Sequence, residues 1–173
     1  MSIVHTNKVL SKLEEIVSFR LGRDRSQKHP IKVQPNIPFA GQSGPATDGT
    51  EIFLPRKESH FTSARDNELS LANSTAHEAD HIDEFYEYFG SEIEALQSQG
   101  KNLVQVYHER NHSDLTENPA LAGWIDNIVK DRRIDANRRE QLSGVKRHYE
   151  EVLAPAAEYF RPSIKGMSEL DAF

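Results

Sequence analysis

The chain contains no cysteine, which excludes disulfide bonds and every zinc site that needs a thiolate ligand. Any metal ion must therefore be held by histidine, aspartate, glutamate or water. No apolar run is long enough to cross a bilayer. The first five residues also lack the basic and apolar regions of a signal peptide. We therefore expect a cytoplasmic protein with no membrane partner.

Positive charge is also scarce. The formal net charge is −6, which argues against a nucleic-acid partner, because such partners need a basic face. Apolar residues make up only 36% of the 173 residues and charged residues 28%, which indicates a well-solvated, helical domain. The length predicts a single domain over 1–160, followed by a C-terminal tail or linker over 161–173.

Hydrophobic periodicity predicts an α+β fold that is predominantly α-helical. Apolar residues at helical spacing indicate an amphipathic helix over 6–20 and a long helix from about Ser63 to Phe89. Between them, alternating apolar residues and prolines over 31–39 favour an edge strand. A turn at Asp48-Gly49 precedes a short strand over Glu51–Leu54. We expect these segments to form a small β-hairpin or sheet before the long helix.

A further helix is predicted from Asn118 to Glu140, with Asn118 as its cap and Pro119 in its first turn. Asp131 falls at the edge of its apolar stripe and Asp135 within the stripe's continuation. Two aspartates turned toward a core need partners, because unpaired buried charge is costly. We expect the stripe to face the core; it comprises Leu121, Trp124, Ile125, Ile128 and Val129.

The most specific motif is His77-Glu78-Ala79-Asp80-His81. Residues four apart lie on one face of a helix, so both imidazoles can reach one metal ion. The glutamate next to the first histidine is then close enough to act on a metal-bound water. This is the His-Glu-x-x-His pattern of zinc peptidases.

A second copy of the same pattern occurs at 108–112. Each copy carries a charged residue where zincins usually have an uncharged one, Asp80 in the first and Arg110 in the second. Context favours the first copy, which lies inside a long helical pattern that a short strand precedes. We expect the second copy to be a solvated pair of histidines at a helix end.

Zinc needs a third protein ligand and an open position for water. Asp131 fits best, and Asp135, one turn on, would hold the other ring nitrogen of a ligating histidine. The order of these two aspartates could be reversed, and both could instead form ordinary ion pairs with nearby arginines. Three other residues remain open as the third ligand: Asp126, Glu109 and His112.

The chain resembles zincin-type metallopeptidases. More narrowly, it is similar to the metallopeptidase-like region found beside von Willebrand factor A domains in bacterial proteins that work with MoxR-type ATPases. Three segments carry the resemblance: Thr47–Pro55, Ala76–His81 and Asn127–Asp135, the last similar to Asn-x-x-Glu-Asp-x-Arg-Ile-Glu. Lys130 stands where that family usually has an acid, which excludes this position as a ligand.

The resemblance implies a zincin-like fold with Zn²⁺ held by His77, His81 and Asp131. It also implies a peptide or protein substrate, hydrolysed by a metal-activated water with Glu78 as general base. The strand Glu51–Leu54 would pair with an extended peptide. Three residues remain open as the donor that stabilises the oxyanion: Tyr107, His148 and Tyr149.

Two alternatives stay open. The first is a non-proteolytic metal-binding or adaptor domain that works with a MoxR-type ATPase or a von Willebrand A domain. The second is a helical interaction domain in which the histidines are incidental.

Overall fold

The computed structural model describes residues 3–4, 7–22, 25, 27, 30–35, 44–55, 57–58, 61–112, 117–141, 143–148 and 150–151. These residues fall into two compact units, 1–137 and 138–173. The predicted boundary at 160 and the predicted tail lie outside the described residues.

The described elements confirm the expectation of a predominantly helical α+β fold. The helices are α1 (Asn7–Leu21), α2 (Ala64–Phe89), α3 (Ile93–Ser98), α4 (Leu103–His112), α5 (Pro119–Gln141) and α6 (Ser143–His148), with a 3₁₀ turn at Gly90–Glu92. The strands are β1 (Ile3–Val4), β2 (Lys32–Gln34), β3 (Ala46–Thr47), β4 (Glu51–Phe53) and β5 (Lys57–Glu58). None of the described helices is long and apolar enough to span a bilayer.

The long helix α2 is the centre of the first unit. Its start is fixed by Ser63, whose Oγ accepts a hydrogen bond from the N–H of Asp66 at 3.3 Å. Its buried side chains include Leu71 and Ile82, which are 1% and 0% exposed and pack in one core with α1, β2 and β4. Each such buried side chain stabilises the fold by roughly 1.5–3 kcal/mol. The core therefore fixes the orientation of α2 and of every polar residue on its other faces.

A small sheet precedes α2, with strand order β2-β4-β3. Strand β2 is an edge strand, as the prolines around it predict. It runs parallel to β4, so β2 and β4 do not form a hairpin; the hairpin joins β3 and β4. Strand β4 is paired on both sides, so the expectation that Glu51–Leu54 pairs with a peptide is wrong. Among the described strands, β3 therefore forms the second outer edge of this sheet.

The turn at Asp48-Gly49 closes the β3–β4 hairpin, as predicted. Asp48 Oδ1 accepts hydrogen bonds from the backbone N–H groups of Thr50 and Glu51, each at 2.8 Å. Gly49 has a φ of +89°, and a Cβ there would lie only 2.7 Å from Leu103 Cβ. This glycine therefore lets the start of α4 pack directly on the hairpin turn.

Helix α5 starts as predicted, because Asn118 Oδ1 accepts a hydrogen bond from the N–H of Leu121 at 3.1 Å. The orientation predicted for α5 is wrong. The five stripe residues, Leu121 to Val129, are between 39% and 61% exposed, whereas Gly123 and Ile134 on the opposite side are buried. Periodicity shows which residues share a face, but not what that face contacts. The polar side of α5 faces α2.

The second unit contains the end of α5 and helix α6. Its described ion pair joins Lys146 and Glu150 at 4.0 Å, with both side chains well exposed. Such a pair contributes little to stability.

Replacement of Gly49 by alanine should lower the free energy of unfolding by about 2–4 kcal/mol, because it adds a clash with Leu103 to an unfavourable φ. Gly100 is the matched control, with a φ of +65° and nothing within 4 Å of its added Cβ. Gly100→Ala should cost about 1 kcal/mol. Urea unfolding of both variants measures the difference. Equal losses would show that the Leu103 contact does not hold α4 on the turn.

Candidate metal centre

Helix α2 carries His77 and His81 on consecutive turns, both toward α5. Their Nε2 atoms lie 3.1 Å apart. Asp131 Oδ1 of α5 lies 3.3 Å from Nε2 of His77 and 2.9 Å from Nε2 of His81. Three potential ligand atoms from two helices therefore converge on one point.

This triangle fits a zinc ion. With bonds of roughly 2.0–2.1 Å in a tetrahedron, the ligand atoms of zinc lie roughly 3.3 Å from one another. The three measured separations, 3.1, 3.3 and 2.9 Å, are within a few tenths of an ångström of that value. Two imidazoles and one carboxylate also form a donor set that zinc accepts. Three protein ligands leave the fourth position of the tetrahedron open.

Two further side chains orient the ligands. Asp135 Oδ1 lies 3.0 Å from Nδ1 of His77, so that the other ring nitrogen points at the shared centre. Asn127 Nδ2 donates a hydrogen bond to Oδ2 of Asp131 at 3.2 Å, which leaves Oδ1 toward the histidines. The predicted positions of Asp131 at the centre and Asp135 behind His77 agree with this geometry.

The electrostatics of the metal-free group favour a proton where the metal would sit. Burial lowers the pKa of His77, but its bonds to Asp131 and Asp135 and the charge of Glu78 outweigh burial and raise it to about 10. Burial raises the pKa of Asp131, yet its bonds to His77 and His81 hold it well below the usual range. A cation at this point is therefore electrostatically favoured.

Glu78 lies one residue after His77 and lines the cavity beside the centre. Its side chain is buried, and burial raises the pKa of its carboxyl, although the charges of His81 and His77 oppose the shift. A carboxylate with a raised pKa is a better general base near neutral pH than an exposed one.

Asp80, the charged residue within the motif, is bound to α1. Its Oδ1 accepts a hydrogen bond from Nε of Arg20 at 2.7 Å and forms an ion pair with Nη2 of the same side chain at 2.6 Å. Both side chains are largely shielded from solvent. Asp80 thus fastens α2 to α1, which explains a charge at a position where zincins usually have none.

The centre opens into a cavity of about 760 Å³ formed by residues of the first unit. Strand β3 lines one side through Ala46 and Thr47, and Tyr107 and Trp124 contribute apolar surface from α4 and α5. Tyr107, one of the three predicted oxyanion donors, thus lines the same cavity as the centre. The side chains of the other two candidates, His148 and Tyr149, lie outside the described residues.

The second His-Glu-x-x-His copy ends α4, but it is not a solvated pair. His112 is only 6% exposed, and its Nδ1 lies 2.8 Å from Nδ1 of His108. Burial and the charges of His112 and Lys130 lower the pKa of His108. Sequence could not show this burial, because it depends on the packing of α5, whose Gly123 faces both rings.

None of the three alternative third ligands joins the first centre in the described contacts. Asp126 Oδ2 lies 2.9 Å from Lys130 Nζ and 3.6 Å from His112 Nε2. Glu109 is exposed and accepts a hydrogen bond from Gln105 at 2.7 Å. His112 faces His108.

Asn127 and Lys130 lie in the segment that carries the resemblance, but no contact was predicted for them, and Gly123 was not singled out from the sequence. Asn127 precedes Asp131 by four residues, so helical spacing alone could have identified it as a partner of that carboxylate. The Nζ of Lys130 lies 3.5 Å from the centre of the Tyr107 ring, a contact between α5 and α4 that no local pattern encodes.

In comparisons with known proteins, no family model matches this chain, and no curated protein or solved structure matches it either.

Zinc affinity should fall in a graded way across three aspartates of α5. Asp131→Ala removes a ligand and should weaken binding more than 100-fold, whereas Asp135→Ala removes an orienting partner and should weaken it about 10–100-fold. Asp126→Ala is the control and should change the affinity less than about threefold. Competition with a chromophoric chelator measures all three. An unchanged affinity in Asp131→Ala would rule out this centre.

Zinc binding should release at least one proton near pH 7, because His77 is protonated without metal and must lose that proton to bind it. Zinc affinity should therefore increase about tenfold per pH unit between pH 6 and 8. Without metal, the stability of the fold depends on pH with the opposite sign. The folded pKa lies above the ordinary value of 6.5, so protonation of His77 stabilises the fold below pH 6.5, and this is lost as pH rises through about 10. Calorimetry in buffers of different ionisation enthalpy counts the protons, and zero release would contradict the assignment.

Proposed function

We propose that this protein is a zinc-dependent metallopeptidase with a zincin-like arrangement of helix, ligands and edge strand. The observation that carries the proposal is the convergence of His77, His81 and Asp131 on one point in the wall of a cavity that Glu78 also lines. Metal ligands, a buried carboxylate and an adjoining space for substrate are the parts that metal-assisted hydrolysis needs.

His77, His81 and Asp131 would hold the zinc ion, while Asp135 keeps the His77 ring in place. Bound zinc supplies Lewis acidity, which polarises a carbonyl group and lowers the pKa of water. Because Asp131 and Asp135 both come from α5, the site is complete only when α5 lies against α2. Correct docking of α5 is therefore part of the activity.

Glu78 would move the proton. Its carboxylate takes a proton from the attacking water and later passes it to the leaving amine. The pKa of this carboxyl is raised by burial, which brings it closer to the pH at which the enzyme works. Its place next to His77 on a buried helix keeps it beside the ligands without a flexible loop.

The edge of β3 supports a peptide as the substrate class. Ala46 and Thr47 line the cavity, and β3 is the last strand of its sheet among the described residues. An extended peptide can add to such an edge through main-chain hydrogen bonds. Trp124 lines the same cavity and is 59% exposed, so it offers apolar contact surface to a substrate side chain.

The second candidate function is a metal-binding adaptor without peptidase activity. The exposed stripe of α5, from Leu121 to Val129, favours this reading, because contiguous apolar surface of this kind marks contact surfaces. A MoxR-type ATPase or a von Willebrand A domain as partner remains a prediction from the sequence resemblance.

Glu78→Gln should retain zinc and lose about 10²–10⁴-fold in kcat, because the amide cannot accept the proton. Hydrolysis of a broad mixture of labelled peptides, read by mass spectrometry, measures the effect. Glu87→Gln is the matched control, since Glu87 lies on the same helix, is exposed, and does not line the cavity. It should retain full activity.

The outcomes separate the two candidates. Peptidase activity that Glu78→Gln leaves unchanged would exclude the proposed mechanism. Stoichiometric zinc without hydrolysis of any peptide would favour the adaptor. A wild-type protein that binds no zinc would exclude both.

A further inference from the structure

The second His-Glu-x-x-His motif has no role in the proposed peptidase, although His108 and Glu109 line the same cavity. We infer that His108 and His112 form a second, weaker site for an imidazole-binding transition-metal ion, with Cu²⁺ preferred over Ni²⁺ and Zn²⁺. This site is separate from the first centre and does not depend on peptidase activity.

The two histidines already have the spacing of a metal-binding pair. Their Nδ1 atoms lie 2.8 Å apart, close to the 3.1 Å between the Nε2 atoms of His77 and His81. Without a metal ion, two imidazole nitrogens at this distance are satisfied only if one donates a hydrogen and the other accepts it. A bound metal ion would use both lone pairs instead.

Gly123 leaves space against these two nitrogens. A Cβ at this position would lie 3.0 Å from Nδ1 of His108 and 3.6 Å from Nδ1 of His112. Any residue larger than glycine would therefore fill the space next to the converging atoms. A glycine inside a helix is otherwise unfavourable by about 1 kcal/mol relative to alanine.

Asp126 places a negative charge on the outer side of His112. Its Oδ2 lies 3.6 Å from Nε2 of His112, the nitrogen that faces away from His108, which is longer than a hydrogen bond. The carboxylate therefore attracts a cation at the pair through its charge rather than by holding the ring. The Nζ of Lys130 lies 2.9 Å from the same carboxylate oxygen, so the positive charge nearest to this site is compensated.

The donor set determines the class of ion. Two neutral imidazoles without a carboxylate ligand do not suit Mg²⁺ or Ca²⁺, which bind through oxygen. Among the first-row ions that accept imidazole, Cu²⁺ binds a given site most strongly. Among the described residues, no third protein ligand joins this pair as Asp131 joins the first centre, so its affinity for Zn²⁺ should be the lower of the two.

The test starts from His77→Ala/His81→Ala, in which the first centre is removed. This double variant is titrated with Cu²⁺, and binding is followed by electron paramagnetic resonance. One Cu²⁺ per chain should bind with hyperfine splitting from two nitrogens, and the additional change His108→Ala should abolish that signal. A signal that persists after His108→Ala would overturn the inference, because another group would then hold the ion. So would absence of the two-nitrogen signal.

Gly123→Ala gives a second test that keeps every ligand. In the His77→Ala/His81→Ala protein, the added methyl group should displace the His108 ring and weaken Cu²⁺ binding at least tenfold. The same change favours the helical state of α5. In the chain with an intact first centre, Gly123→Ala should bind zinc at His77 and His81 with unchanged affinity, which shows that α5 is still docked. Unchanged Cu²⁺ affinity in Gly123→Ala would show that the pair is a structural hydrogen bond.

Discussion

The contact between α2 and α5 at His77, His81 and Asp131 is the interaction on which the candidate site depends. Three polar atoms lie within 3.3 Å of one another, and such a group is stable only if protons or a cation hold it together. Helix α5 directs its apolar stripe outward, so much of its hold on α2 is polar. This includes the ion pair between Arg133 and Glu84 at 2.5 Å. A metal ion bound at this proposed site would therefore also stabilise the docking of α5.

One turn and a half of α2 serves three purposes. His77 and His81 face α5, Glu78 lines the cavity, and Asp80 binds Arg20 of α1. These roles are compatible because helical geometry sends consecutive side chains in different directions. The buried apolar face of α2 fixes all of these directions at once. A core mutation that shifts α2 would therefore displace His77 and His81 even if the mutated residue contacts neither of them.

The two His-Glu-x-x-His motifs differ in what α5 offers each. The first meets Asp131, a carboxylate at ligand distance, and the second meets Gly123, which provides space instead of a ligand. Helix α5 thus contacts both histidine pairs, the first through a carboxylate and the second through a glycine. Both motifs have the same pattern and the same four-residue histidine spacing, so neither feature predicts this difference.

Local patterns in the sequence determined much of this protein's secondary structure and the spacing of its candidate ligands. The helical spans, the Asp48-Gly49 turn, the Asn118 cap and the four-residue spacings within the pairs His77/His81 and Asp131/Asp135 are all local patterns. That the two pairs meet depends on the packing of α5 against α2, about 50 residues further along the chain. Only the tertiary structure decided what each face meets. It turned the stripe of α5 outward, paired β4 on both sides, buried His112 and bound Asp80 to Arg20. The reason is physical: periodicity and capping act between near neighbours, whereas the partner of a face is set by packing between segments far apart in the chain.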